Sequence, residues 1–530
     1  MKTKISSLFS GWLKPSARAV TDTPYEGASH LNPDLARFRP RNFSAQGAIS
    51  VDRDLLTARI HDIARNDGWA SAGVARMVDA AIGTGWWLSA SPVAEALNLT
   101  TDEGESLATQ FETHWRLYAN DPDAWCDAAE RRTVGGMMAL AMRTQMLDGE
   151  VLGVLHWLER PGAPYATALE LIDPDRLSTP NARPDNANLR DGVEIGDRGE
   201  PIAYWIRVNH PDDIIPVANV LRWERIPRKK PWGRRIVIHH FEDARPGAVR
   251  GVSPFATIVK KLKMISKHDE AELQAAVLNA MLAAYVESPL DHEQLADMMD
   301  DSSGGKLDGY NQLRLAYWRD APPLSIPGVK LNFLFPGEKI NISQANRPNP
   351  GFEMFQRAAL RNIASALGIS YEQLSMDWSQ VNYSSARAAL LEVWKGLTAR
   401  SGFFGHGVVQ PWYAAFLEEI IETGKVKLPR KCPPFREAKA AYCNARWIGP
   451  GRGWVDPLKE AEAAIARIEG GLSTLERECA EQGLDWREVM KQQSREDKFA
   501  ESLGLPKIHD RPPPVKKAGG IRDQPEKEQA

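Results

Sequence analysis

Residues 253–286 read SPFATIVKKLKMISKHDEAELQAAVLNAMLAAYV. Ser253 followed by Pro254 is a helix-start signal, because serine caps free backbone N–H groups and proline suits the first helical position. Phe255, Ile258, Leu262 and Ile265 then recur at spacings of three and four, and Leu273, Val277, Met281 and Tyr285 at four. Those spacings place each set on one face of a helix. A helix over 254–286 would be about 50 Å long, well beyond the usual length in a globular domain. Its most apolar part, Ala271 to Val286, is interrupted by Glu272, Gln274 and Asn279. No stretch of the chain reaches the roughly 18 apolar residues that a membrane span needs, so no membrane contact is expected.

On the N-terminal side, residues 1–50 are rich in Ser, Pro, Asn and Arg and read as an arm, partly disordered. Leu55, Leu56, Ile60 and Ile63 predict a helix, Asn66-Asp67-Gly68 a turn, and Val74, Met77, Val78 and Ala81 a second helix stopped by Gly83 and Gly85. Further helices are predicted over 104–118 and 124–147. The character then switches to strands at Val151–Leu158, Ala168–Ile172, Gly192–Ile195, Ile202–Val208 and Ile236–Phe241. The turn Gly196-Asp197-Arg198-Gly199 joins two of them as a hairpin. Residues 51–250 therefore read as one α+β domain.

On the C-terminal side, 287–350 is rich in Gly, Pro and Asp, with weak strands near 313–318 and 329–335. Helix returns at Phe352–Leu367. After the loop 368–383, a helix runs from Ser384 to about Ile421. Gly396, Gly402, Gly405, Gly407 and Pro411 should kink it. Residues 424–453 read as loop, 458–481 and 486–502 as charged helices, and the Pro-rich tail 505–530 as disordered.

With 530 residues the chain holds about three or four modules. Its 43% apolar and 25% charged content excludes global disorder. Sixty-six basic against 69 acidic residues give a net charge of −3, so the chain is no bulk polycation and any nucleic-acid contact must be local. Cys126, Cys432, Cys443 and Cys479 form neither C-x-x-C motifs nor a disulfide framework, which fits the cytosol. Met1–Val20 is too broken by Ser and Gly to be a signal peptide. Seventeen tryptophans are many, and their helix-period neighbours favour core and interface anchors over base stacking.

Catalytic signatures are missing. Gly304-Gly305-Lys306 is followed by Leu307, which lacks the hydroxyl that a phosphate loop needs for magnesium. His292-Glu293 has Ala296 where a zinc helix needs its second histidine. The acid pairs Asp121/Asp123, Asp173/Asp175 and Asp300/Asp301 are better explained by turn formation than by metal binding. His239 and His240 should point to opposite faces of a strand, an arrangement that suits no ligand pair. No enzymatic activity, metal or cofactor is expected. The basic run Arg222, Arg225, Arg228, Lys229, Lys230, Arg234 and Arg235, interleaved with Trp223 and Trp232, reads as a surface patch, either a solvated loop or subunit contact or a phosphate-backbone contact. Lys260, Lys261, Lys263 and Lys267 flank the stripe of the long helix as a solvated face.

These pieces, in this order, resemble the lambda-like family of tailed-phage portal proteins. The resemblance is carried by RNDGWA (65–70), VDAAIGTGWWLSA (78–90), DGEVLGVLHWL (148–158), LELIDPDRL (169–177), GVEIGDRGEPIAYWIRVNHP (192–211), RGVSPFATI (250–258), LGISYEQLSMDWSQVNYSSARAALLEVW (367–394) and WVDPLKEAEAAIARIEGGLSTLERECAEQGLD (454–485). It implies a multidomain, mostly helical α+β fold with an antiparallel β wing. It also implies a homo-oligomeric ring, usually of twelve copies, that conducts double-stranded DNA without sequence preference through the capsid vertex during packaging and ejection. Implied partners are the terminase large subunit, the head-completion or connector protein and the major capsid or scaffold protein, with assembly in the host cytoplasm and residence in the virion. Carried onto this chain, 51–250 would be wing, 254–286 the first stem helix, 287–350 the clip, 352–367 the second stem helix and 368–383 the tunnel loop. The kinked helix and wing return would take 384–453, and the crown 454–504. Lys260, Lys261, Lys263 and Lys267 would face the channel, and Trp378, Gln380, Asn382 and Tyr383 would touch DNA from the tunnel loop. Two rivals stay open on the residues alone: a DNA-processing nuclease subunit using the Asp pairs, and a capsid or neck protein without a channel.

Overall fold

The computed structural model describes residues 25–30, 32–213, 221–285, 351–379, 382–453 and 456–509, with isolated positions between 312 and 330. The first half opens with α1 (Ala45–Ser50), α2 (Arg53–Asn66), α3 (Gly68–Ala81), the strand β1 (Trp87–Ala90), α4 (Thr101–Ala119) and α5 (Val134–Asp148). Local chemistry sets these boundaries. Asp67 accepts the backbone N–H of Ala70, so the predicted turn starts α3 directly. Thr100 and Glu103 form a reciprocal capping box on α4. The helix expected over 124–147 begins ten residues late. Asp127 accepts the N–H groups of Ala129 and Arg131, and Arg160 bonds the carbonyls of Trp125, Asp127 and Ala128, which holds 124–133 in turns until Thr133 caps α5. Gly149 ends α5 at φ 84°, where a Cβ would lie 2.2 Å from the carbonyl carbon of Val252.

Strands β2 (Glu150–Trp157), β3 (Thr167–Ile172) and β8 (Val237–Phe241) form an antiparallel sheet in the order β3-β2-β8, with Leu152 opposite both Ile172 and His239. A second antiparallel sheet runs β4 (Leu189–Arg190), β5 (Val193–Ile195), β6 (Pro201–Arg207) and β7 (Trp223–Pro227). β7 lies inside the basic run read as loop, and its register with β6, Arg225 opposite Trp205, is what orders it. Along β2, Val151 and Leu155 enter one core while Leu152 and Val154 enter another, the period-two signature of a strand buried on both faces.

The long helix is α6 (Val259–Tyr285), entered by a short 3₁₀ turn at Pro254–Thr257. Gln312, Leu315, Ala316 and Arg319 are helical where a strand was expected, and β9 (Ser325–Ile326) pairs with β10 (Val329–Lys330); most of the segment 287–350 lies outside the described residues. Then come α7 (Phe352–Leu367), α8 (Tyr371–Ser375) and α9 (Tyr383–Phe404). After α9, one wide π turn at Gly405–Val409 leads into α10 (Gln410–Glu422). The predicted kink is this π turn, and its cause is visible: a Cβ on Gly407 would sit 1.9 Å from His240 Nδ1. Beyond it lie α11 (Lys439–Tyr442), β11 (Ala445–Ile448), α12 (Pro457–Glu469), α13 (Leu475–Glu481) and α14 (Trp486–Ser502). The helix expected over 458–481 breaks at Gly470-Gly471, because Gly471 adopts φ 69° and Thr474 caps a new start.

Among the described residues, three cores hold the chain together. The first joins α4, α5 and the inner face of β2 to α10, around Trp115, whose ring meets Tyr118, Trp412, Tyr413, Phe416 and Trp447. Trp412 is fully buried and donates to the Tyr118 hydroxyl at 2.8 Å. The second joins α2, α3, the base of α6 and α7, and the third lies between the two sheets. β1 pairs with β11, Trp87 opposite Ile448. No helix among the described residues is long and apolar enough to cross a membrane.

Candidate nucleic-acid interface

The root of α6 is fixed before the helix begins. Glu150 is completely buried at the start of β2. Arg250 reaches it at 2.9 and 3.0 Å, Arg53 at 3.0 Å, His239 at 3.1 Å and the backbone N–H of Gly251 at 3.0 Å. Burial alone would raise this carboxyl, but the guanidinium charges of Arg250 and Arg53 and the bond from His239 override it and hold it well below the usual range. Arg250 also donates to the carbonyls of Leu177, Asp191 and Pro174. Three residues on, Ser253 donates to the Met146 carbonyl at 2.7 Å and accepts the Phe255 N–H at 3.1 Å. Phe255, Ile258, Leu262 and Ile265 then bury against Ile60, Ile63 and the returning Leu360 and Ile363.

α7 runs back antiparallel beside α6. Lys261 donates to Asn362, His268 stacks on Phe355 at 5.1 Å, and Gln356 donates to Asp269 at 3.3 Å. Lys260, Lys261, Lys263 and Lys267 are all exposed. So are Met264, Leu273, Met354 and Phe355. A single copy of this hairpin therefore shows solvent both a row of positive charge and large apolar side chains.

The loop after α7 is more ordered than its composition suggests. Ser370 and Gln373 form a capping box on α8, which ends at Met376 in the left-handed region (φ 58°). Asp377 then accepts the Ser379 N–H and hydroxyl, at 3.1 and 2.6 Å. Trp378 and Asn382 are exposed. Gln380 lies outside the described residues, and Tyr383 opens α9 with only its backbone described.

The basic run divides in two. Arg225 forms a bidentate pair with Glu194 at 2.6–3.1 Å. Arg234 donates to the Ala415 carbonyl and Thr167 and pairs with Glu418 at 3.4 Å, bracing β3 against α10. These two are fastenings. Lys229 and Arg235 instead face an open cavity of about 650 Å³, whose wall includes His406, Gln410 and Lys439 and no carboxylate among the described residues. Burial and the neighbouring Arg228, Arg235 and Lys439 all push the Lys229 ammonium down, and burial and Arg228 do the same to the Arg235 guanidinium. Arg222 and Lys230 are exposed.

A family profile described as phage portal protein, lambda family, matches residues 32–400. The chain belongs to the lambda family of phage portal proteins. The portal protein of Escherichia phage N15 is 33% identical to it over 484 residues, 90% of each chain. Portal protein B of Escherichia phage lambda is 32% identical over 484 residues, again 90% of each. Among solved structures, a chain from the neck of an empty gene transfer agent particle superposes with a TM-score of 0.40 at 15% identity, covering 86% of this chain and 99% of that one.

Within this portal protein, the acid pairs serve turns where the structure describes them. Asp173 accepts the Asp175 N–H at 3.0 Å and Asp121 accepts the Asp123 N–H at 2.9 Å; Asp300/Asp301 lies outside the described residues. His210 joins Asp173 and Asp175, with ligand atoms from all three within 4.8 Å of one another. No sequence spacing signalled that meeting, because 34 residues and three strands lie between Asp175 and His210. Arg53 stands 3.6 Å from Asp175 and already supplies positive charge there. His239 and His240 do face opposite ways, one toward Glu150 and the other against Phe403 at 4.7 Å. The buried Glu150–Arg250 pair was missed as a site, although Arg250 opens one of the phrases that carry the resemblance.

Proposed function

We propose that this portal protein closes into a ring of identical copies in the virion and conducts double-stranded DNA, moved by a separate ATPase, with α6 and α7 as the wall of the passage. The supporting observation is family membership over most of the chain, joined to a helical hairpin whose base is buried and whose outer half leaves Leu273, Met354 and Phe355 uncovered in one copy. Neighbouring copies would cover such a surface, and a ring presents the four lysines of α6 as bands of charge. Weak, sequence-blind contact with phosphates suits sliding. In this reading 287–350 docks the terminase and later the connector, 368–383 is the tunnel loop, and the protein supports passage without catalysing a reaction.

Electron microscopy of the purified full chain tests the reading: rings with an axial hole are expected, and monomers or solid assemblies refute it. Inserting Gly-Pro beside Leu273 should break α6 and abolish DNA filling; normal packaging by that variant would remove α6 from the wall. For the basic cavity, K229E/R235E should weaken duplex DNA binding at low salt by about tenfold if phosphates enter it, and unchanged binding assigns it to a protein contact.

A further inference from the structure

The helical segment 456–509 is poor in core of its own. Among its described residues Ala500 is the one apolar side chain that is fully buried, while Leu458 is 70%, Ile465 57% and Phe499 66% exposed. It is nevertheless held in place: Arg487 reaches Glu105 at 2.5 Å and Glu112 at 3.0 Å on α4, and Arg467 on α12 grips Glu478 on α13 at 2.6 Å. A fixed framework thus presents two uncovered apolar stripes. On α12, Leu458, Ala461, Ile465 and Ile468 follow spacings of three, four and three, the seam pattern of packed helices. Glu462 and Glu469, seven apart, form one edge of that seam. On α14, Phe499 and the following Leu503 are edged by Arg495 and Lys498 on one side and by Glu496 on the other. The α12 stripe thus has an acidic edge, and the α14 stripe a basic edge on one of its two sides.

We propose that α12 of one copy docks on the C-terminal half of α14 of a second copy of this chain. The apolar stripes meet face to face, and the acidic edge lies along the basic edge. Because the two patches differ, each contact leaves one of each kind open at its ends, and the association repeats head to tail until it closes. The contact rests on the ring reading above for its repetition, and it adds which surfaces join.

The test uses the full chain carrying Cys432→Ala and Cys479→Ala, which removes the two half-buried thiols. One version adds Ile465→Cys, the other Phe499→Cys, and the two are mixed, assembled and treated with a short bis-maleimide. Covalent dimers in the mixture should exceed those of either version alone by about tenfold, since only the mixture places the two thiols on opposite sides of one contact. Rings that assemble without this cross-link overturn the contact and leave the ring reading intact. A chain bearing both cysteines that closes only on itself also overturns it. Failure of the unmodified chain to form rings overturns both. In a second arm, E462K/E469K and R495E/K498E should each raise the concentration needed for assembly about tenfold, and the fourfold variant should restore it. Equal assembly by all three contradicts the charged edges.

Discussion

Replacing Arg250 with methionine tests the packing argument most severely. The substitution keeps a long side chain but leaves Glu150, fully buried, with Arg53, His239 and one backbone N–H. Removing one partner of a buried ion pair costs about 3–5 kcal/mol. The carbonyls of Leu177, Asp191 and Pro174 also lose a donor, at about 1 kcal/mol each where water does not replace it. The expected loss is about 5 kcal/mol, comparable to the whole stability of a modest domain. It should appear as a fall of at least about 10 °C in the first thermal transition, measured by calorimetry on the purified chain. The double variant E150M/R250M should recover part of it, because the buried carboxylate is gone and Arg53 keeps Asp175 at 3.6 Å. A single variant that melts within about 2 °C of the parent, or a double variant no better than the single, would refute the claim that this pair anchors the root of α6.

Acid should act in two stages. His240 is pushed down to about 4 by burial and by the neighbouring His239. Its folded pKa is depressed, so its contribution is fully present above pH 6.5 and declines as the pH falls towards 4, by about 3 kcal/mol. Denaturation midpoints across that window should fall in the parent and much less in H240F; equal slopes would exclude His240 as the cause. Glu150, held well below its ordinary value, contributes stability above the unfolded carboxylate range that is lost only as pH falls further through its folded pKa. Accordingly, R250M should flatten the stability profile below about pH 4.3, where a preserved slope would point to another group. Gly407→Ala should destabilise by about 1–3 kcal/mol through contact with His240, and adding His240→Ala should return part of it; a neutral G407A would mean the π turn yields freely.

Much of the architecture was legible because its causes are local. The spacing of Phe255, Ile258, Leu262 and Ile265 follows from one helix face meeting one core, and Phe352–Leu367 was bounded correctly because Gly368 terminates it at φ 76°. Elements whose causes are distant stayed hidden. β7 looked like a charged loop because its order comes from pairing with β6, and β11 looked like irregular chain because its partner is β1. The start of α5 was misplaced because the turn at Asp127 depends on Arg160. At the candidate interface, the sequence located the lysines of α6 but not the division of the basic run, since Arg225 and Arg234 are consumed by Glu194 and Glu418 from other elements. Composition counts charges, and folding decides which of them remain uncommitted.

The β1–β11 pairing carries a temporal implication. Trp87 finds its partner at Ile448, and the core around Trp115 needs Trp412 and Phe416. A ribosome must therefore have synthesised the chain through Ile448 before Trp87 can find its strand partner. Such distant closure is slow. Until α10 has been synthesised, Trp115 lacks the rings of Trp412 and Phe416 that cover it in the finished fold.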